Sequence, residues 1–176
     1  MKRFTDAGRR ALADDNLYAA LSLALSLPDI CSSIENPGPG KSKNRYIKWC
    51  KAWVEPKFTH QLGPDRGLHV FLSAEDCYKL RCSLVHSGSA EIDANNEGIR
   101  IRAEFFDATV GAHLNSFQLG STSFLQLRAA DFSDAMFTAA DEWDASTQND
   151  KSVQAEKAKL LVIHSAGAII QGVKFG

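Results

Sequence analysis

The run "LYAALSLALSL", Leu17 to Leu27, constrains the fold more than any other stretch of this chain. Its side chains are apolar almost all round an ideal helix, so a helix here must be enclosed by other elements. Eleven residues fall well short of the roughly 20 that a bilayer takes. Asp14 and Asp15 directly precede the run, and no small-residue cleavage site follows "PDIC", so a secretory signal does not fit. The run predicts a buried helix. That helix is expected from about Thr5, past Pro28 with a kink or short break, towards Glu35, and "NPGPGK" (36–41) ends it.

A second helix is expected from about Lys43 to Val54, with Tyr46, Trp49, Cys50 and Trp53 at helical spacing. Loop signals fill "QLGPDRG" (61–67). A third helix begins near Ser73, an N-cap with Asp76 three residues on, and carries Cys77, Leu80 and Leu84 as its apolar stripe. Gly88 is placed to end it in a left-handed cap.

Beyond residue 98 the texture changes. "IRIRAEF" (99–105) alternates as a half-buried strand does, "FLQLR" (124–128) reads as another, and "HLNSFQL" (113–119) lies between them as a meander. Asp131 is expected to cap a helix bearing Phe132, Ala135, Met136, Ala139 and Trp143 on one face. "VQAEKAKLLVIH" suggests a further helix and "AIIQGVKF" a final strand.

At 176 residues, 23% charged and 44% hydrophobic, the chain suits one domain with a substantial core. The net charge of −1 gives no global case for nucleic acid or membrane, so a polyanion would have to be held by a local patch. One exists. Lys41, Lys43, Arg45, Lys48, Lys51 and Lys57 are opposed only by Glu55, with Tyr46, Trp49 and Trp53 interleaved. Such a patch can hold a phosphate backbone. The spacing of the aromatics fits core packing better than base stacking, which leaves the positive charge as the feature able to guide RNA.

The four cysteines (Cys31, Cys50, Cys77, Cys82) form no C-x-x-C pair, and no histidine stands at zinc-finger spacing from them. His60, His69, His113 and His164 are scattered. No metal or other cofactor is expected, and free thiols suit a reducing cytoplasm.

"YKLRCSLVHSG" (78–88) holds Arg81 and His86 late in the third helix. Five positions turn an ideal helix through roughly 140°, with Tyr78, Cys82 and Val85 in the wedge between the two. A long guanidinium can bend across that wedge, but one helix offers no concavity, so a second helix or subunit must close a site. In the last turn, unsatisfied carbonyls favour a cation, which suits a side chain that takes and returns protons. Arginine supplies a planar fork for phosphate oxygens and for the extra charge of a phosphorane-like transition state. This pair suffices without metal for RNA, whose 2′-hydroxyl is a built-in nucleophile, and not for DNA. The plainer reading is that a surface arginine and a helix-terminal histidine are each common, and the spacing recurs by chance.

Ser22, Ser26, Asp29 and Ser33 fall within about 60° of one another on an ideal helix. That stripe is read first as the solvated edge of a buried helix, and second as a cleft border where Asp29 orients Arg81. Cys82 as a thiol nucleophile lacks an oxyanion hole and a third orienting group.

R-x-x-x-x-H late in a helix of a small helical domain resembles the signature of the HEPN superfamily, which includes metal-independent ribonucleases of toxin–antitoxin, CRISPR and phage-defence systems. "LYAALSLALSLPDICSSIE", "NRYIKWCKAWVE" and "FLSAEDCYKLRCSLVHSGSA" look like an uncharacterised bacterial branch, over about residues 12–90. The resemblance implies a homodimer whose two Arg–His pairs face one cleft. Arg81 would then stabilise phosphate charge, His86 would act as general acid and base, and Asp29, Tyr78 and Cys82 would line the cleft. It also implies RNA as substrate and an antitoxin or regulatory protein as a further partner. Ribonuclease members often carry Asn, Asp or His directly after the arginine, and here that residue is Cys82. The rival expectation is a HEPN-like dimer that binds RNA, nucleotide or a protein without cutting.

The fold expectation is one domain over 1–176, mainly α within the α+β class. It pairs a HEPN-like helical bundle over about 5–90 with a mixed part over about 98–176 that holds a small antiparallel β-element.

Overall fold

Asp14, Asp15 and Asn16 divide the expected first helix into two. In this computed structural model, which describes residues 1–92, 100–107 and 111–176, α1 spans Lys2–Ala13 and α2 spans Leu17–Glu35. Asp15 takes φ +57°, a left-handed value that Asp tolerates better than most residues. Asn16 then caps α2 by accepting a hydrogen bond from the Ala19 N–H at 3.2 Å. The chain continues helically through Pro28, which is buried inside α2. One turn earlier, the Tyr46 hydroxyl donates to the Leu25 carbonyl at 3.2 Å.

With 19 residues, α2 is long and apolar enough to cross a membrane by length and composition, yet half of its apolar window is buried inside the protein. Ala20, Ala24, Leu25, Leu27 and Cys31 are fully enclosed. Helices on several sides achieve this, as an all-round apolar helix requires.

α3 spans Ser42–Trp53 and leads through a short 3-10 turn, Glu55–Phe58, into a hairpin of β1 (Thr59–Leu62) and β2 (Gly67–Val70). Of the loop expected over 61–67, residues 63–66 form the tip of this hairpin, whereas Gln61, Leu62 and Gly67 belong to its strands. α4 spans Ala74–Ser87. Ser73 Oγ accepts from the Asp76 N–H and donates to the Asp76 carboxylate, and Gly88 at φ +63° ends the helix.

The remaining strands are β3 (Glu91–Ile92), β4 (Arg100–Phe106), β5 (Asn115–Leu119) and β6 (Thr122–Arg128). Ile99, the first residue of the expected strand, lies outside the described residues. α5 (Ala129–Ser146) and α6 (Lys151–Lys157) follow, then a second hairpin of β7 (Ile169–Ile170) and β8 (Val173–Lys174).

The expected helical bundle with a small antiparallel β-element is corrected by this topology. β3 to β6 form one mixed sheet in the order β3-β4-β6-β5, and β4 pairs with β6 in parallel over seven residues. The protein is an α+β fold with strands in both halves of the chain. Period-two alternation fixes which face of a strand is buried, and it carries no information on the direction of pairing. The β5–β6 hairpin turns at Gly120, φ +60°, and occupies one edge of β6, which leaves the other edge to β4. Ala103, Leu125 and Leu127 then line one buried face.

Three smaller corrections belong here. Arg128, not Asp131, is the N-cap of α5, because β6 runs straight into the helix; Asp131 sits in the first turn and pairs with Arg128. α6 stops at Lys157, short of the expected His164, and the expected final strand is a hairpin. In the core, α5 joins both halves: Trp143 meets Trp49 edge-on at 6.4 Å, and Phe132 meets Phe58 at 5.6 Å and Phe105 at 5.2 Å.

Candidate functional site

The continuity of α2 through Pro28 sets Asp29 on the flank that faces α4. Tyr78, Arg81 and Cys82 are spaced i, i+3, i+4 on α4 and share one side of it. The Arg81 Nη2 lies 2.7 Å from Asp29 Oδ2, with the two side chains 26% and 28% exposed. Arg81 Nη1 also lies 3.9 Å from Cys82 Sγ. Burial works against the charge on Arg81. The carboxylate of Asp29 and the contact with Cys82 outweigh it, raise the guanidinium above its ordinary value and hold it charged. Tyr78 is raised as well, chiefly by its hydrogen bond with Cys82 and then by desolvation.

His86 stands apart from this cluster. It is exposed in the last turn of α4, about 140° round and about 7.5 Å along the axis from Arg81. The structure therefore brings Asp29, Tyr78, Arg81 and Cys82 together at the α2–α4 contact and leaves His86 outside it. The serine stripe on α2 is occupied by its own helix: Ser22, Ser26 and Ser33 donate to the carbonyls of Tyr18, Ser22 and Ile30.

The basic patch adjoins the same cluster through α3. The Lys43 Nζ lies 5.9 Å from the centre of the Tyr78 ring, which in turn meets Tyr46 edge-on at 5.4 Å. Lys41, Lys43, Lys48 and Lys51 are exposed, with Lys48 and Lys51 on the outer face of α3 and Lys43 on the flank towards α4. Arg45 is committed otherwise: its Nη1 donates to the carbonyls of Asn36 (3.0 Å) and Gly38 (2.6 Å) and so pins the loop before α3.

That loop and the first turns of α3 enclose a cavity of about 410 Å³, lined by Pro39, Gly40, Lys41, Asn44, Arg45 and Lys48 among others. Sequence reasoning treated "NPGPGK" only as a helix terminator and missed Asn44 as part of this basin. The signal available was the coincidence of a glycine-rich turn with the cationic start of a helix. Trp49 is buried and Trp53 half-buried, so base stacking on them is closed off or restricted.

A second cavity, about 540 Å³, lies between the start of α2, the end of α4 and the end of β4. Its walls are apolar, from Leu17, Leu21 and Leu25 on α2, Leu80 and Leu84 on α4, and Phe106 on β4. Neither cavity is lined by Arg81 or His86. No group of three or more metal-ligating side chains occurs among the described residues. Comparison of the chain with protein-family models, curated proteins and solved structures gives no match.

Proposed function

We propose that this protein binds RNA through the basic face of α3 and does not cut it. The observation that carries this reading is the contrast between its cations. Arg81 is held against Asp29 at 2.7 Å, whereas Lys41 and Lys48 are exposed at the cavity before α3 and Lys51 is exposed further along the same helix. A guanidinium whose charge is met within its own chain has less to offer a developing phosphorane than a free one. Exposed lysines beside a concave basin suit a phosphate backbone and release its counterions.

The relationship to the HEPN superfamily is part of the same proposal. It rests on R-x-x-x-x-H late in α4, without the helical-bundle fold first expected. A cytoplasmic location, supported by four free thiols, and a homodimer or regulatory partner belong to the same proposal.

The ribonuclease reading keeps one supporting observation: the Arg81–Asp29 pair is partly exposed, so an approaching phosphate or second subunit can compete for Arg81. In that case the 2′-hydroxyl, deprotonated by His86, attacks phosphorus. The 5′-oxygen leaves with a proton, and a 2′,3′-cyclic phosphate remains.

One experiment separates the two. Single-stranded RNA is titrated in EDTA, with anisotropy reporting binding and gel analysis reporting cleavage, for wild type, Lys48→Glu/Lys51→Glu and His86→Ala. Binding by wild type without fragments, weakened tenfold or more in the lysine variant, is the expected result. Fragments ending in cyclic phosphate from wild type and not from His86→Ala establish the ribonuclease instead. Absence of binding by wild type overturns the RNA-binding proposal.

A further inference from the structure

The segment after α6 is apolar and uncovered. Seven large hydrophobic side chains between Leu161 and Phe175 are exposed, Ile163 to 91% and Ile169 to 71%. An isolated two-stranded hairpin is marginal in water, and β7–β8 pairs only with itself among the described residues. Its ends are tied by Gly167 N–H donating to the Phe175 carbonyl at 2.7 Å and Phe175 N–H donating to that of Ala168 at 2.9 Å. Contiguous exposed apolar surface of this kind marks an interaction site. Between Leu161 and Phe175 the segment carries Lys174 and no acidic residue.

The 540 Å³ cavity is its complement in both respects. Its walls are leucine and phenylalanine, its rim carries Asp14, Asp15 and Asp107, and among the described residues no lysine or arginine lines it. Tyr18, 85% exposed, stands at its mouth as the kind of aromatic side chain that anchors interfaces. In its own chain the segment leaves from the other end of α1. Arg3 Nη1 donates to the Leu161 carbonyl at 3.1 Å, while Asp14 lies past the far end of that helix, about 18 Å away at 1.5 Å per residue.

We propose that this cavity receives the Leu161–Phe175 segment of a second copy of the chain. Each copy donates a segment and offers a cavity, so reciprocal exchange closes as a two-fold dimer. Apolar side chains fill the cavity, and Lys174 meets the acidic rim of Asp14, Asp15 and Asp107. This contact is distinct from a dimer closed across Arg81 and His86, and it does not depend on RNA binding.

Sedimentation velocity across the micromolar range on the full chain tests it. Wild type is expected to be a dimer. Ile163→Asp and Leu84→Glu are each expected to weaken self-association at least tenfold, and Asp14→Lys/Asp15→Lys to weaken it less and in a salt-dependent way. Ile163 is so exposed that its variant should keep its circular dichroism and melting temperature, which separates lost association from lost folding. The decisive arm mixes the Ile163→Asp and Leu84→Glu variants. One intact segment and one intact cavity remain between them, so a heterodimer forms although neither variant self-associates. A monomeric wild type, a dimer indifferent to both substitutions, or a mixture that stays monomeric overturns the proposal.

Discussion

Arg81 is the residue on which the functional reading turns, and its partner Asp29 is the handle for testing it. The two side chains are each about a quarter exposed, so their ion pair belongs with surface pairs that contribute about 0–1 kcal/mol. Arg81 Nε is buried with no hydrogen-bond partner among the described residues, so the guanidinium is held by its terminal nitrogens rather than by its full fork. Asp29→Asn keeps the volume and removes the charge. We expect it to lower stability by no more than about 1 kcal/mol in urea titrations. It should also strengthen RNA binding, because the freed cation adds about one phosphate contact and steepens the salt slope by about 0.7 on a single strand. An unchanged affinity and slope would remove Arg81 from the binding surface and leave it as a link between α2 and α4.

At the scale of elements, Gly8 shows how tightly α1 approaches α5. A Cβ placed there would lie 2.1 Å from the Phe137 Cζ, within the ring's own radius of contact. Glycine to alanine inside a helix ordinarily gains about 1 kcal/mol. Here the ring is fully buried, so overpacking, at about 1–3 kcal/mol, outweighs the propensity gain. Gly8→Ala is therefore expected to lower the urea midpoint despite improving the helix, and a midpoint that rises would mean α1 is free to shift. The same contact explains what the sequence could and could not say about this region. Periodicity made α1 and α2 legible as helical, but the acidic turn at Asp14–Asn16 looked like part of one long helix. The left-handed Asp15 and the cap in which Asn16 accepts from the Ala19 N–H distinguish the break. The start and stop of α4 were readable from Ser73, Asp76 and Gly88 because caps are local. The parallel pairing of β4 with β6 was not, since it depends on which strand edge a distant hairpin leaves open. The position of Asp29 beside Arg81 was readable only as the second of two alternatives, because it needed the course of α2 through Pro28, which the sequence left as a kink or a short break.

Across the whole molecule, two titrating groups tie distant parts of the chain together and predict how it responds to acid. Asp144 on α5 takes the N-terminal amino group of Met1 at 2.9 Å and also pairs with Lys157 of α6. Burial alone would raise its carboxyl, but the hydrogen bonds from Lys157 and the N-terminus outweigh that and hold it below the ordinary value of 3.8. His113 Nδ1 accepts from the Arg128 N–H at 3.0 Å, where β6 passes into α5. Burial is the largest influence on its imidazole; with the neighbouring Arg128 and His60 it outweighs Asp131 and lowers the group below 6.5. Both folded values lie under their unfolded ones, so each group favours the native state at higher pH and loses that advantage as protons are added. Stability should therefore be level near neutrality, decline as pH falls through about 6.5, and decline again below about 4. The first decline should flatten in His113→Ala, which cannot take up the proton. The second should shrink in Asp144→Asn, which starts less stable because Met1 and Lys157 lose their common partner. Urea midpoints at half-unit pH steps would show this; a wild-type midpoint that rises between pH 7 and 5 would mean that His113 does not govern the first window, and one that stays level below pH 4 would mean the same of Asp144 in the second. Since Asp144 fastens α6, and the Leu161–Phe175 segment follows α6, the lower window should also be where that segment loses its fixed point of departure.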